Sequence, residues 1–158
     1  MKKIIIYSAL LFVLGGCALI NPLSKYPKED RAVYELTEQV RKANNAGDIN
    51  KLEQQYHSAV ESHLQQIDAY KSSAQTDAGE KIMKEYAELN SLADEVANST
   101  TRVKVKRYDA EYALAKQEVT EDYYRQAQSL LQSNNRNDAK EAHTLLKKVN
   151  AITPNYKV

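Results

Sequence analysis

From Val33 to Val149, apolar side chains recur at spacings of three and four. That period lines one face of an α-helix; a half-buried β-strand would need strict alternation. The chain is therefore expected to fold as packed helices. Strong helix formers (Ala, Leu, Lys, Glu, Gln) are abundant, against four Gly, three Pro and no Trp, which agrees with an all-α fold. At 42% apolar and 27% charged, the composition is that of a folded domain with a modest core, neither disordered nor multiply membrane-spanning.

Five helices follow from the pattern. The first covers 28–45, with Val33, Leu36, Val40 and Ala43 on one face. It ends at Asn44-Asn45-Ala46-Gly47, residues that accept the left-handed conformation of a helix stop. Asp48 is positioned to cap a second helix over 49–74, whose face is Leu52, Tyr56, Val60, Leu64, Ile67 and Tyr70. After a break at 72–79, Asp77 with Glu80 reads as a capping box for a third helix carrying Ile82, Tyr86, Leu89, Ala93 and Val96. A fourth spans 102–133, from Val105 and Tyr108 through Tyr123 to Leu130, with a bend near Thr120 as an alternative. Asn134-Asn135 stops it. Asp138 with Glu141 reads as the capping box of a fifth, 139–151, with Ala142, Leu145, Leu146 and Val149 inward and Pro154 after its end. Residues 101–107 also alternate as a strand would, but no second strand is available to pair with them. They are assigned to the fourth helix.

The N-terminus has a different character. Lys2-Lys3 precedes an apolar run from Ile4 to Leu14, interrupted only by Tyr7 and Ser8. Eleven helical residues rise roughly 16 Å, short of a hydrocarbon core of about 30 Å, so a signal-peptide core is favoured over a membrane span. The run ends in Leu14-Gly15-Gly16-Cys17, which resembles the lipobox of bacterial lipoproteins. The resemblance implies cleavage before Cys17, a diacylglyceryl thioether on its sulfur and an acyl chain on the new amino group. Two or more chains anchor a protein stably where one does not. Cys17 is the only cysteine, so an exported form has no internal disulfide to make. Ala18 follows, where Asp would imply inner-membrane retention in enteric-type bacteria. The expected location is the outer membrane, facing the periplasm. The organisation is thus a signal peptide at 1–16, a lipidated tether at 17–27 with two prolines, and a helical domain at 28–158. Net charge is +1 for the whole chain, and loss of Lys2 and Lys3 leaves about −1. Neither value draws the domain toward nucleic acid.

At an offset of ninety, Tyr34 meets Tyr124, Asn44-Asn45 meets Asn134-Asn135 and Asp48 meets Asp138. Both copies read as helix, Asn-rich turn, helix. The C-terminal copy resembles a tetratricopeptide unit: Asp138, Glu141 and Ala142 open its second helix, and Leu146, Lys148 and Pro154-Asn155 follow at that family's spacing. Leu130 departs from the family pattern, and 72–122 shows no match. The architecture implied is either TPR-like or an irregular helical bundle.

Little points to chemistry. His57 and His63 lie six apart on the second helix and share no face, and His143 is remote in sequence, so no metal site is expected. No phosphate loop, G-x-S-x-G elbow or H-E-x-x-H occurs. No catalytic residue and no cofactor is expected. Two features suit a partner instead. Arg102, Lys104, Lys106 and Arg107 form the densest basic cluster, fit for anionic headgroups or an acidic protein. Tyr56, Tyr108 and Tyr112 combine an apolar ring with a polar tip, which suits either a thin core or a binding groove.

The expected function is a lipid-anchored, non-catalytic interaction or assembly module that docks another envelope protein, since TPR-like units imply protein binding. The alternative is a structural, self-associating envelope lipoprotein. A small enzyme or ligand carrier is the third possibility.

Overall fold

The computed structural model describes residues 22–133 and 135–157; the segment expected to be a signal peptide and Cys17 lie outside them. A 3-10 turn, Pro22–Lys25, leads into α1 (Arg31–Ala43), α2 (Ala46–Lys71), α3 (Ala78–Ser99), α4 (Asp109–Leu131) and α5 (Arg136–Ile152). Among the described residues there is no strand, so the all-α, five-helix expectation holds.

The helices are placed by a few cross-links. α1 packs against both α2 and α3. It runs parallel to α3, with Tyr34 meeting Ser91 at 3.4 Å and Thr37 donating to Glu95 at 3.0 Å. α4 runs antiparallel to α3: its start is beside Asn90, and Val119, ten residues in, lies against Gly79. A Cβ at position 79 would meet a Val119 methyl carbon at 3.0 Å, so glycine lets these two helices close together. α5 folds back along α4, with Thr120 and Thr153 hydroxyls 3.0 Å apart and Lys148 reaching the Tyr123 hydroxyl at 3.3 Å. α2 and α4 both flank α3, and side chains of both enter the second core.

The cores match the predicted stripes. Leu52, Tyr56, Leu92, Val96 and Val33 fill the first, between α1, α2 and α3. Ile67, Tyr86, Leu89 and Ala115 fill the second, and Val119, Tyr123 and Val149 the third. Ala43, expected to face inward, is exposed at the helix end.

Three local assignments change. The capping residues shift: Asn45 and Asn135, not Asp48 and Asp138, are the N-caps of α2 and α5, and their side-chain oxygens accept from the backbone N–H groups of Asp48 and Asn137. Asp48 and Asp138 sit in the first turns, where the helix dipole favours a carboxylate. Asp77 precedes α3 without a side-chain cap bond. Asn44 adopts the left-handed stop, at φ 45°, as its residue type suggests, whereas Gly47 is helical. The tether is also shorter than expected, because Leu23 and Tyr26 pack on the domain and the Tyr26 ring stacks on Tyr34 at 3.5 Å.

The largest change concerns 100–108, which is neither helix nor strand but an irregular strap, bent at 101–103, between α3 and α4. Val103 is buried and Val105 half-buried, while Arg102, Lys104 and Lys106 point outward. The alternation holds from 102 to 106, with Thr101 and Arg107 exposed at its ends, and side chains stand in for the missing strand partner. The Tyr56 hydroxyl accepts from the Lys106 N–H at 3.1 Å and faces the Lys106 carbonyl at 3.4 Å. Asn90 Oδ1 accepts from the Tyr108 N–H at 2.6 Å. Extended backbone is tolerated once its polar groups are satisfied. α4 then runs as one continuous helix, without a break near Thr120.

The strap makes a directional prediction for urea unfolding. Val103→Asp should lower stability by about 3 kcal/mol or more, from a charge placed in the core. Lys104→Asp, one residue on, should stay within about 0.5 kcal/mol. Equal effects at the two positions would contradict the in-out alternation.

Candidate functional site

The residues expected to meet a partner separate into two groups. Tyr56 and Tyr108 are interior, 2% and 5% exposed, and serve the packing alternative. Tyr112 is half-buried against the second core. Burial holds the Tyr56 and Tyr108 hydroxyls above the ordinary tyrosine range. Arg107 is neutralised locally: Asp109 accepts from it at 2.7 Å and Asp94 pairs with it as well, and these bonds raise its pKa further. The Lys106 ammonium lies 4.3 Å over the Tyr108 ring, a cation–π contact. Arg102 and Lys104 carry no ion pair among the described residues. The structure therefore brings Tyr56, Lys106 and Tyr108 together on the strap, and leaves Arg102 and Lys104 as its free cations.

A polar cluster that the spacing analysis passed over lies deeper. His63 is fully buried in the middle of α2. Its Nε2 is 2.9 Å from Asp30 Oδ1, at the start of α1, and its Nδ1 is 2.5 Å from Glu85 Oε2 on α3. Asp30 and Glu85 are themselves 2% and 7% exposed. Burial alone would push the imidazole pKa down. The hydrogen bonds and charges of Asp30 and Glu85 outweigh that and carry it up to about 9, so the ring is an imidazolium at neutral pH. Further acids surround it. Glu29 is held by Gln66 at 3.0 Å. Glu88, a turn beyond Glu85, pairs with Lys84 at 3.3 Å. His63, Glu85 and Glu88 each bring one possible ligand atom into a group spanning no more than 4.8 Å. A search for two histidines on one helix cannot find such a set, because its members come from two helices. A sequence signal did exist: His63 falls on the stripe Leu52, Tyr56, Ala59, Ile67, and Glu85 on the stripe Leu89, Leu92, Val96. Ionisable residues within apolar stripes need partners when buried. His57 and His143 are exposed.

The surface carries two adjoining hollows along α4. One, of about 280 Å³, is lined by Lys71, Ile82, Tyr86, Glu111, Leu114 and Ala115. The second, of about 180 Å³, lies between Gly79, Glu80, Val119 and Tyr123. Glu118 borders both. The first forms a groove between α2, α3 and α4, and the second continues beyond Glu118 between α3 and α4. Leu114, on its edge, is 58% exposed, an uncommon state for a large apolar side chain here. Glu111 and Glu118 have no ion-pair partner among the described residues. At the far end Lys148 joins Glu80 at 3.2 Å and the Tyr123 hydroxyl, tying α5 to α3. The groove thus offers an apolar floor, an exposed leucine and acidic edges.

Compared with known protein families, curated proteins and solved structures, the chain matches none.

Proposed function

We propose that the chain is a lipid-anchored, non-catalytic interaction or assembly module, tethered through Cys17 to the outer membrane and turned toward the periplasm. The observation that carries the interaction half is the groove beside α4. It pairs the apolar side chains of Ile82, Tyr86 and the exposed Leu114 with the unpaired carboxylates of Glu111 and Glu118. An apolar centre with a polar border is the usual anatomy of a docking surface. The anchoring half rests on Leu14-Gly15-Gly16-Cys17 after a short apolar run. No helix among the described residues is long and apolar enough to cross a membrane, so attachment of this domain would fall to the lipid. With Leu23 and Tyr26 packed on the domain, the free tether from Cys17 to residue 22 reaches at most about 18 Å. The groove is then presented close to the bilayer, where an envelope partner would meet it.

Two measurements test the two halves, the first on the membrane-extracted protein and the second in intact cells. Mass spectrometry should find Cys17 as the first residue and bearing lipid; a mature N-terminus with an unmodified Cys17 would remove the anchor. A photo-crosslinking residue at position 114 should give one defined protein adduct in intact cells. The same residue at position 125, where the Arg125 side chain is 78% exposed, should not. Equal labelling from both positions, or from neither, would count against the groove.

A further inference from the structure

We propose that His63, Glu85 and Glu88 form a binding site for a divalent transition-metal ion of the zinc class, with Asp30 orienting the imidazole from behind. The site stands independently of the interaction module.

The first argument is the orientation of the ring. His63 is fully buried and hydrogen-bonded through Nε2 to the Asp30 carboxylate at 2.9 Å. Its Nδ1 therefore faces α3. A carboxylate on one imidazole nitrogen and a metal on the other is the recurrent arrangement at protein metal sites: the carboxylate fixes the tautomer and raises the basicity of the ligating nitrogen.

The second argument is what Nδ1 faces. Glu85 and Glu88 are three apart on α3, so their carboxylates share one helix face. Nδ1 lies 2.5 Å from Glu85 Oε2, and His63, Glu85 and Glu88 each bring a ligand atom within 4.8 Å of the others; parting Nδ1 from Glu85 and turning Glu88 inward would complete the set. The helices supplying them are held by the α2–α3 core, with Ile67 and Leu89 at most 1% exposed. One imidazole and two carboxylates suit zinc, manganese or ferrous iron better than a soft ion such as cuprous copper. Three protein ligands leave a coordination position for water.

The third argument is charge and access. Asp30, Glu85 and Glu88 bring three carboxylates to a single imidazole. The cation nearest Glu88 is Lys84, on a side chain 70% exposed and 3.3 Å away. On metal binding the Nδ1 proton passes to solvent, and its lone pair and the two carboxylates bond the ion. A double positive charge thus replaces a single one among the three acids. The Glu88 side chain, 22% exposed, gives the ion its way in from water; Lys84 must swing aside, and Glu85 must draw back from Nδ1, now 2.5 Å away.

The test uses full-length Cys17→Ser protein, so that no thiol competes, stripped with chelator and titrated with Zn²⁺ by calorimetry and with Co²⁺ by visible absorption. One equivalent should bind, with a cobalt spectrum of nitrogen and oxygen ligation. Glu88→Gln, at the accessible edge of the cluster, should keep the fold and weaken binding at least about tenfold. Asp30→Asn should weaken it about 10- to 100-fold while the cobalt band positions stay. Lys84→Ala should tighten binding, an effect no merely structural role of that lysine would produce. Absence of one-to-one binding, or binding that Glu88→Gln leaves unchanged, would overturn the site. His63→Gln should abolish binding, and a failure of that variant to fold leaves the Glu88 and Lys84 tests decisive.

Discussion

The buried ion cluster at His63 is the constraint on which the arrangement of the first three helices depends. Its members come from the start of α1, the middle of α2 and the first half of α3. Each is nearly excluded from water, and a buried charge without its partner is far more costly than a missing contact between apolar groups. Sliding α1 by one turn would separate Asp30 from His63. The hydrogen bonds from Tyr34 to Ser91 and from Thr37 to Glu95 would go with it. Apolar stripes alone tolerate such slippage, because leucine packs on leucine at several registers. The charged cluster selects one register.

The second half of the molecule hangs on α3. Asn90 and Tyr56 hold the strap by its backbone, and the strap sets where α4 begins. Gly79 then admits Val119, and Lys148 brings α5 back to Glu80. Where α2 and α4 both flank α3, a groove lined by Lys71, Ile82 and Leu114 opens between them. The surface assigned to partner binding is therefore a consequence of the strap, and the strap is a consequence of two polar side chains in the interior.

The five helices were legible in the sequence because each carries an apolar stripe several turns long, as in Leu52, Tyr56 and Ile67. The Asn-rich turns were legible too: Asn45 and Asn135, ninety residues apart, act as equivalent caps. The strap was misassigned because Val105, Tyr108 and Tyr112 continue a helical spacing into α4. What decides its conformation is the Tyr56 hydroxyl, fifty residues away in sequence, and no local pattern reports that. The candidate site was only half visible. Tyr56 and Tyr108 were read as suiting either a thin core or a binding groove, and both lie in the interior. His63 and Glu85 stood out only as ionisable residues within apolar stripes, and their pairing depends on how α2 and α3 align. The groove, with Leu114 at its edge, arises from helix placement and leaves no trace in sequence spacing.

The central claim is that mutual compensation of buried charges at His63, Asp30 and Glu85 sets the helix register. Equilibrium urea unfolding of His63→Leu beside the triple replacement His63→Leu, Asp30→Leu, Glu85→Leu tests it most directly. The single variant, which strands two buried carboxylates, should lose about 3–5 kcal/mol, and the all-apolar triple variant should regain most of that loss. A single variant as stable as the unaltered chain, within about 0.5 kcal/mol, would contradict the account.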